Sequence, residues 1–304
     1  MSQSNINSKK SIIQNIKNFK IYLNERFPLG KNSFFVLIFT LSGYIYTSLL
    51  YNSKIMYLFT NGVKIGILQY KIIALFIIIF MFFFQLRITD EFKDYEEDLK
   101  YRAYRPVQRG IVSLKTLGKI GIATVIIQIM LAHVIDPEII YFMIFVWIYM
   151  FLMAKEFFIK KWLTKRILIY ALSHVVIMIF ITLVIVNATQ YIILGEAENI
   201  FKFGALQWYR HNIDIALIPL FTLNYLNGIV LEIGRKTRRA DEEEHGVQTY
   251  SKLWGRKKAV VVLSLLFIIE YFLVILGLAH TYEKYFFFGG LTLLVILIVS
   301  IYFM

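Results

Sequence analysis

Read only for apolar and polar positions, the chain alternates long hydrocarbon runs with short, strongly charged loops. A helix that crosses a bilayer needs about 20 mostly apolar residues. Eight stretches meet that need, at roughly 33–50, 71–88, 116–134, 138–154, 167–194, 212–231, 259–280 and 285–303. The connection at 135–137 is so short that the third and fourth runs form a tight hairpin. Too little sequence remains for a separate soluble domain. The pattern predicts an all-α, polytopic transmembrane bundle. It has an N-terminal segment at 1–31, then one membrane unit at 32–304 with charged loops at 87–115 and 232–258.

The first 31 residues carry no early apolar core and no small-residue cleavage site, so they do not read as a secretory signal. Ile12, Ile16, Phe19 and Leu23 recur at helical spacing, with Lys17 and Lys20 among them. That is the pattern of a helix lying on an anionic membrane surface. Residues 1–10 read as a basic tail without structure.

Composition narrows the chemistry. The 304 residues are 58% hydrophobic and include no cysteine, which excludes disulfides, thiolate metal sites and iron–sulfur clusters. Histidines 133, 174, 211, 245 and 280 are scattered without ligand spacing and read as packing or interfacial residues, not as a haem or zinc site. The net charge of +13 invites a nucleic-acid partner, but its distribution argues otherwise. Of the 33 Lys and Arg, 27 fall in the N-terminal arm and the 2–3, 4–5 and 6–7 loops with their flanks. Such alternation is the positive-inside rule. It predicts those loops and both termini on the cytoplasmic side, with anionic lipid headgroups as the partner of the charge and no nucleic acid. The absence of cysteine and of transit features leans towards a bacterial or archaeal cytoplasmic membrane.

The acids share this geography. Asp90, Glu91, Asp94, Glu96, Glu97 and Asp98 follow the second run, and Glu232, Asp241, Glu242, Glu243 and Glu244 follow the sixth. Together they make up 11 of the 20 acids. The segments beyond, "RGIVSLKTLG" and "HGVQTYSKLWG", are also alike. An internal duplication and coincidence between short loops both account for that likeness.

On an unbroken helix Asp90, Asp94 and Asp98 drift by only about 40° per step, and Glu91 falls within the same arc. Like charges so placed repel one another, and the C-terminal end of a helix is the wrong end for anions. A cation among them removes both costs. All-oxygen ligands suit Mg²⁺, which typically binds one or two carboxylates plus substrate phosphates. Arg102, Arg105 and Arg109 follow the first cluster, and Arg235, Lys236, Arg238 and Arg239 lie within the second. Arginine forks match phosphate oxygens. Two readings therefore stand side by side: a metal-bridged diphosphate site, or solvated loop charges beside basic stop signals.

The motifs resemble those of the UbiA superfamily of intramembrane prenyltransferases. That family carries Asn-Asp-x-x-Asp-x-x-x-Asp after its second span; here "DEFKDYEED" supplies Asp90, Glu91, Asp94 and Asp98. "RPVQRG", from Arg105 to Gly110, matches an Arg-Pro element, and "GVQT" at Gly246–Thr249 matches the Gly-x-x-Thr after the second acidic motif. Here Asp90 and Glu91 replace the family's Asn and first Asp, and "EIGRKTRRADEEEHG" is less regular than the family's second motif. Glu232 lies about 180° from Asp241 on an unbroken helix, so both can face one metal only if the helix bends or ends between them.

The resemblance implies eight or nine spans and a Mg²⁺-dependent transfer of a prenyl group from a polyprenyl diphosphate to an aromatic or quinone-precursor acceptor. It implies metal ligation by Asp90, Glu91, Asp94, Asp98, Glu232, Asp241 and Glu242. It implies diphosphate binding by Arg105, Arg109, Arg235, Lys236 and Arg239, with Asp94, Asp98 and Lys236 central to catalysis. Gln85, Asn224, Tyr225 and Asn227 are candidates for the pocket of the hydrophobic acceptor or the prenyl chain. Rival readings are a membrane transferase acting on another lipid-linked or phosphorylated acceptor, and a non-catalytic cation-binding membrane protein. The Asp-Gly-x-x-Ala-Arg string of one phosphatidyl-transferring family does not occur. Transporters place their acids nearer the bilayer midplane than the helix ends used here.

Overall fold

The structure is a computed structural model of the chain and describes residues 3–51, 65–194, 217–243 and 247–279. The expected eighth span at 285–303 lies outside the described residues, as do Asp214, Glu244, Gly246, His211, His245 and His280. The described residues build helices and connecting turns, without a strand. Six of their helices are long and apolar enough to cross a membrane.

In chain order these six and the shorter apolar helix Ile139–Ala154 are Leu29–Tyr51, Ile65–Lys93, Leu114–Ile135, Ile139–Ala154, the pair Ile167–Val175 and Ile177–Leu194, Leu217–Arg235, and Arg256–Ala279. They are called here the first to seventh spans. The hairpin between the third and fourth is as tight as its sequence requires: Asp136 ends one helix, and its side chain accepts the Glu138 N–H at 2.8 Å. The fourth span has 16 residues, about 24 Å at helical rise, short for a hydrocarbon core of about 30 Å.

The second span is the axis of the bundle. Its Leu75, Ile78, Ile79 and Phe82 are fully buried, with Met143 and Val146 of the fourth span and Ile181 and Ile185 of the fifth. Ile122, Ile126, Met130 and Val134 form an exposed stripe at four-residue spacing on the third span. An apolar stripe of this kind faces lipid in a membrane bundle. At 29 residues the second span reaches about 44 Å. It therefore carries its charged last turns beyond the hydrocarbon. This length positions the acids.

Polar side chains inside the bundle tie helices together. Gln85 donates to Thr124 at 2.9 Å and Gln128 at 2.6 Å, and accepts from Trp147 at 3.2 Å. Asn224, 2% exposed, donates to Thr182 at 2.9 Å. Both are candidates for the substrate pocket, and in the structure their hydrogen-bonding groups are engaged by neighbouring helices, since an unmatched amide inside the bundle is costly. Tyr225 donates to the Leu172 carbonyl at 3.2 Å, and Asn227 is half-buried.

Close approach of the fifth and sixth spans depends on Gly228. A Cβ there would meet Val175 Cγ1 at 2.5 Å and Met178 Cγ at 3.0 Å. Valine is stiff at χ1 and cannot swing away cheaply. Gly228→Ala is therefore expected to destabilise the fold by about 1–3 kcal/mol, read as a lowered thermal midpoint in detergent. An unchanged midpoint would show that the two spans separate freely.

The N-terminal helix, Gln3–Arg26, begins earlier than expected, and residues from Gln3 on are helical, not an unstructured tail. Its Phe19, Tyr22 and Leu23 pack with Phe27 against Phe84 and Ile88 of the second span, while Ile13 and Ile16 stay exposed. The amphipathic helix is thus docked on the bundle by one face, and Arg26 enters the region of the acids.

Candidate active site

The second span ends at Lys93, and a short helix, Tyr95–Tyr101, follows after a bend at Asp94. An unbroken helix would have left Glu96, Glu97 and Asp98 at an unfavourable C-terminal end. The break instead sets them in the first turn of a new helix, where the dipole favours anions. The expected single carboxylate face is divided accordingly.

Glu91 is fully buried and accepts from Arg26 at 2.7 Å and Arg87 at 3.0 Å. Its Oε2 is buried without a hydrogen-bond partner. Asp98, also buried, is held by Arg102 at 2.8 Å and by Arg105. Carboxylates taken out of water need such compensation. Asp90 stays more open, 36% exposed, with Lys93 at 3.5 Å and Arg87 at 3.9 Å. Asp94 is half-buried and has no cation at ion-pair distance among the described residues. Burial first, then Asp90, Asp98 and Glu97, push its carboxyl up to about 6 against the opposing pull of Lys93.

The second motif meets the first. The sixth span ends at Arg235, so the helix does stop between Glu232 and Asp241. Glu232 pairs with Arg235 and, at 2.7 Å, with Lys236. Arg235 and Asp90 lie within electrostatic reach of each other. Between the two motifs stands Tyr170 of the fifth span. Lys93 Nζ donates to its hydroxyl at 2.7 Å, and Lys93 and Lys236 lie 5.4 and 5.5 Å from its ring centroid. Its hydroxyl donates in turn to Glu156 at 3.2 Å. The second, fifth and sixth spans thus bring together Asp90, Lys93, Asp94, Tyr170, Glu232, Arg235 and Lys236.

Other expected residues lie elsewhere. Arg109 pairs with Glu25 of the N-terminal helix at 2.6 Å. Arg239 and Asp241 pair with each other at 3.3 Å on an exposed turn, Ala240–Glu242, and Glu242 accepts the Arg239 N–H at 3.3 Å. Glu243 accepts from Thr249 at 2.8 Å and Ser251 at 2.6 Å. It anchors the end of the "GVQT" stretch, where Thr249 caps the helix Tyr250–Trp254. Lys93, Glu156, Tyr170 and His174 were not among the expected site residues. One signal was present: Glu156 is the sole acid among the five bases of the 4–5 loop.

Among the described residues no group of three or more His, Asp or Glu side chains converges as a ready metal cage. The donors at the open face nevertheless suit a hard cation. Asp90 and Asp94 offer oxygen only, and Asp94 has the charge deficit that a cation would relieve. Mg²⁺ characteristically uses one or two carboxylates and completes its shell with water and phosphate.

The model of the UbiA prenyltransferase family matches residues 71–304. A solved structure is also similar, one described as giving insight into digeranylgeranylglyceryl phosphate synthase in membranes. It shares 16% identity at a TM-score of 0.49, covering 92% of this chain and 88% of that one. No curated protein sequence matches.

Proposed function

The chain belongs to the UbiA prenyltransferase family, and on that premise we propose that it transfers a prenyl group from a polyprenyl diphosphate to an aromatic or quinone-precursor acceptor, with Mg²⁺. The protein is membrane-embedded and all-helical. The observation that carries the proposal is the meeting of the two charged motifs around Tyr170, with Lys93 and Lys236 on its ring. A cluster holding both carboxylates and cations is what a metal-bridged diphosphate requires. The basic loops support a cytoplasmic site beside anionic headgroups.

In this reading Asp90 and Asp94 hold the metal. Glu91 and Asp98 would join them only by exchanging their arginine pairs, and otherwise fix Arg26, Arg87, Arg102 and Arg105 in place. Arg235, Lys236 and Arg105 bind the diphosphate, with Glu232 orienting Arg235 and Lys236. Bound Mg²⁺ supplies charge neutralisation of the departing diphosphate. The basic residues stabilise the same developing charge. The apolar bundle keeps water from the cationic prenyl carbon.

The test is transfer by membranes containing the protein, with labelled prenyl diphosphates of several lengths and a panel of aromatic and quinone-precursor acceptors, with and without Mg²⁺. Magnesium-dependent product and diphosphate release are expected. Neither turnover nor prenyl diphosphate binding under any condition would overturn the reading.

A further inference from the structure

The end of the fourth span holds a conformation that L-residues avoid. Glu156, Phe157 and Phe158 have φ of 50°, 53° and 60°. Each such residue costs roughly 1–2 kcal/mol, and strain of this kind persists where the surroundings impose it, commonly at functional sites. Here the turn carries the Glu156 carboxylate inward, 5% exposed, against the fifth span. Glu156 Oε1 accepts from Tyr170, Lys93 Nζ lies at 4.0 Å, and Oε2 faces His174 Nε2 at 3.5 Å.

The imidazole tautomer follows from its other nitrogen. His174 Nδ1 lies 2.8 Å from the Tyr170 carbonyl oxygen. A carbonyl can only accept, so Nδ1 carries hydrogen. In the neutral ring Nε2 is then a bare lone pair. It confronts a carboxylate oxygen, which is also a lone pair, and both atoms are buried without a hydrogen-bond partner. The pair is one proton short of a hydrogen bond. The Tyr170 ring, stacked at 3.9 Å, and the Phe157 ring, edge-on at 5.6 Å, hold the imidazole in this register.

We infer that Glu156 and His174 together form the proton acceptor of the transfer reaction, taking up the proton that the prenyl acceptor loses. This rests on the transferase reading above. In the balanced step the allylic C–O bond breaks and its electron pair leaves with the diphosphate. A bond forms between the prenyl carbon and the acceptor's nucleophilic atom. The acceptor's proton goes to the partly exposed Tyr170 hydroxyl as that hydroxyl's own proton passes to Glu156, and the Glu156 carboxyl gives its proton in turn to His174 Nε2, making the missing N–H···O bond. The relay Asp90, Lys93, Tyr170, Glu156 links this pair to the candidate metal residues. Charges facing the imidazole are Lys93 and Asp90 from the second span, Glu232 from the sixth and Glu156 from the turn.

The experiment uses the full chain in lipid nanodiscs, with Glu156→Gln and His174→Gln beside the wild type. Each variant is expected to slow transfer by about 100-fold or more, while prenyl diphosphate affinity stays within about threefold. NMR of labelled histidine should show His174 gaining its Nε2 proton in one step. In Glu156→Gln that step should move down by about one pH unit or more. An active wild type with variants transferring at wild-type rates overturns the inference, as does parallel loss of affinity and thermal stability, the mark of a structural pair. A wild type that transfers nothing removes the transferase reading instead. The titration then decides the pair alone, and a His174 step indifferent to Glu156→Gln refutes it.

Discussion

Asp94→Ala is expected to reduce magnesium-dependent prenyl transfer by about 100-fold or more while leaving the folded protein as stable as the wild type in magnesium-free buffer. The reasoning joins placement to charge. Asp94 sits at the bend between the second span and the following short helix, makes no ion pair among the described residues, and is crowded by Asp90, Asp98 and Glu97. A carboxylate whose neighbours raise its pKa contributes nothing to stability by being ionised, so its removal relieves repulsion. Its value lies in what it holds during the reaction. Transfer assays with and without Mg²⁺, beside thermal unfolding of the same preparations, separate the two effects. Full activity in Asp94→Ala would sink the metal assignment.

Asp98→Ala is expected to lose activity too, but together with stability. Asp98 is buried and both its oxygens are engaged, one by Arg102 at 2.8 Å and the other by Arg105. Removing one partner of a buried pair strands the other's charge, at a cost of about 3–5 kcal/mol. The thermal midpoint should fall clearly in detergent, with or without Mg²⁺, and Asp98→Asn should recover part of it by still accepting one hydrogen bond. The contrast is the informative result. If Asp98→Ala were inactive yet fully stable, Asp98 would act as a metal ligand and its arginine pairs would be incidental.

Much of the fold is legible because hydropathy is local. Whether a stretch such as Ile65–Lys93 can span depends on its own residues and on lipid, not on its neighbours. Within the described residues the helices accordingly cover the first seven predicted runs and differ at their ends, as at Tyr70–Lys93 against 71–88. The ends were less legible because a helix keeps its hydrogen-bond ladder into the interface, past the point where hydropathy falls. The fifth span is also interrupted at Val176, with no Pro or Gly beside it to foretell the break.

The candidate site divides along the same line. Its position at the ends of the second and sixth spans, and the crowding of acids with bases there, could be read from residue order alone. Sequence order could not tell which charges satisfy one another. Glu91 and Asp98 look equivalent to Asp90 and Asp94 on a helical wheel, yet Arg26 arrives from the N-terminal helix and Arg105 folds back from the loop to take them. Gln85 and Asn224 face partners on other helices for the same reason. Tyr170, Glu156 and His174 had no motif to mark them. They join the site because the fifth span packs beside the ends of the second and sixth, and because a left-handed turn aims one carboxylate inward. Membrane insertion sums contributions residue by residue along a helix. Ion pairing and proton sharing depend on distances between helices, and those exist only once the bundle has packed.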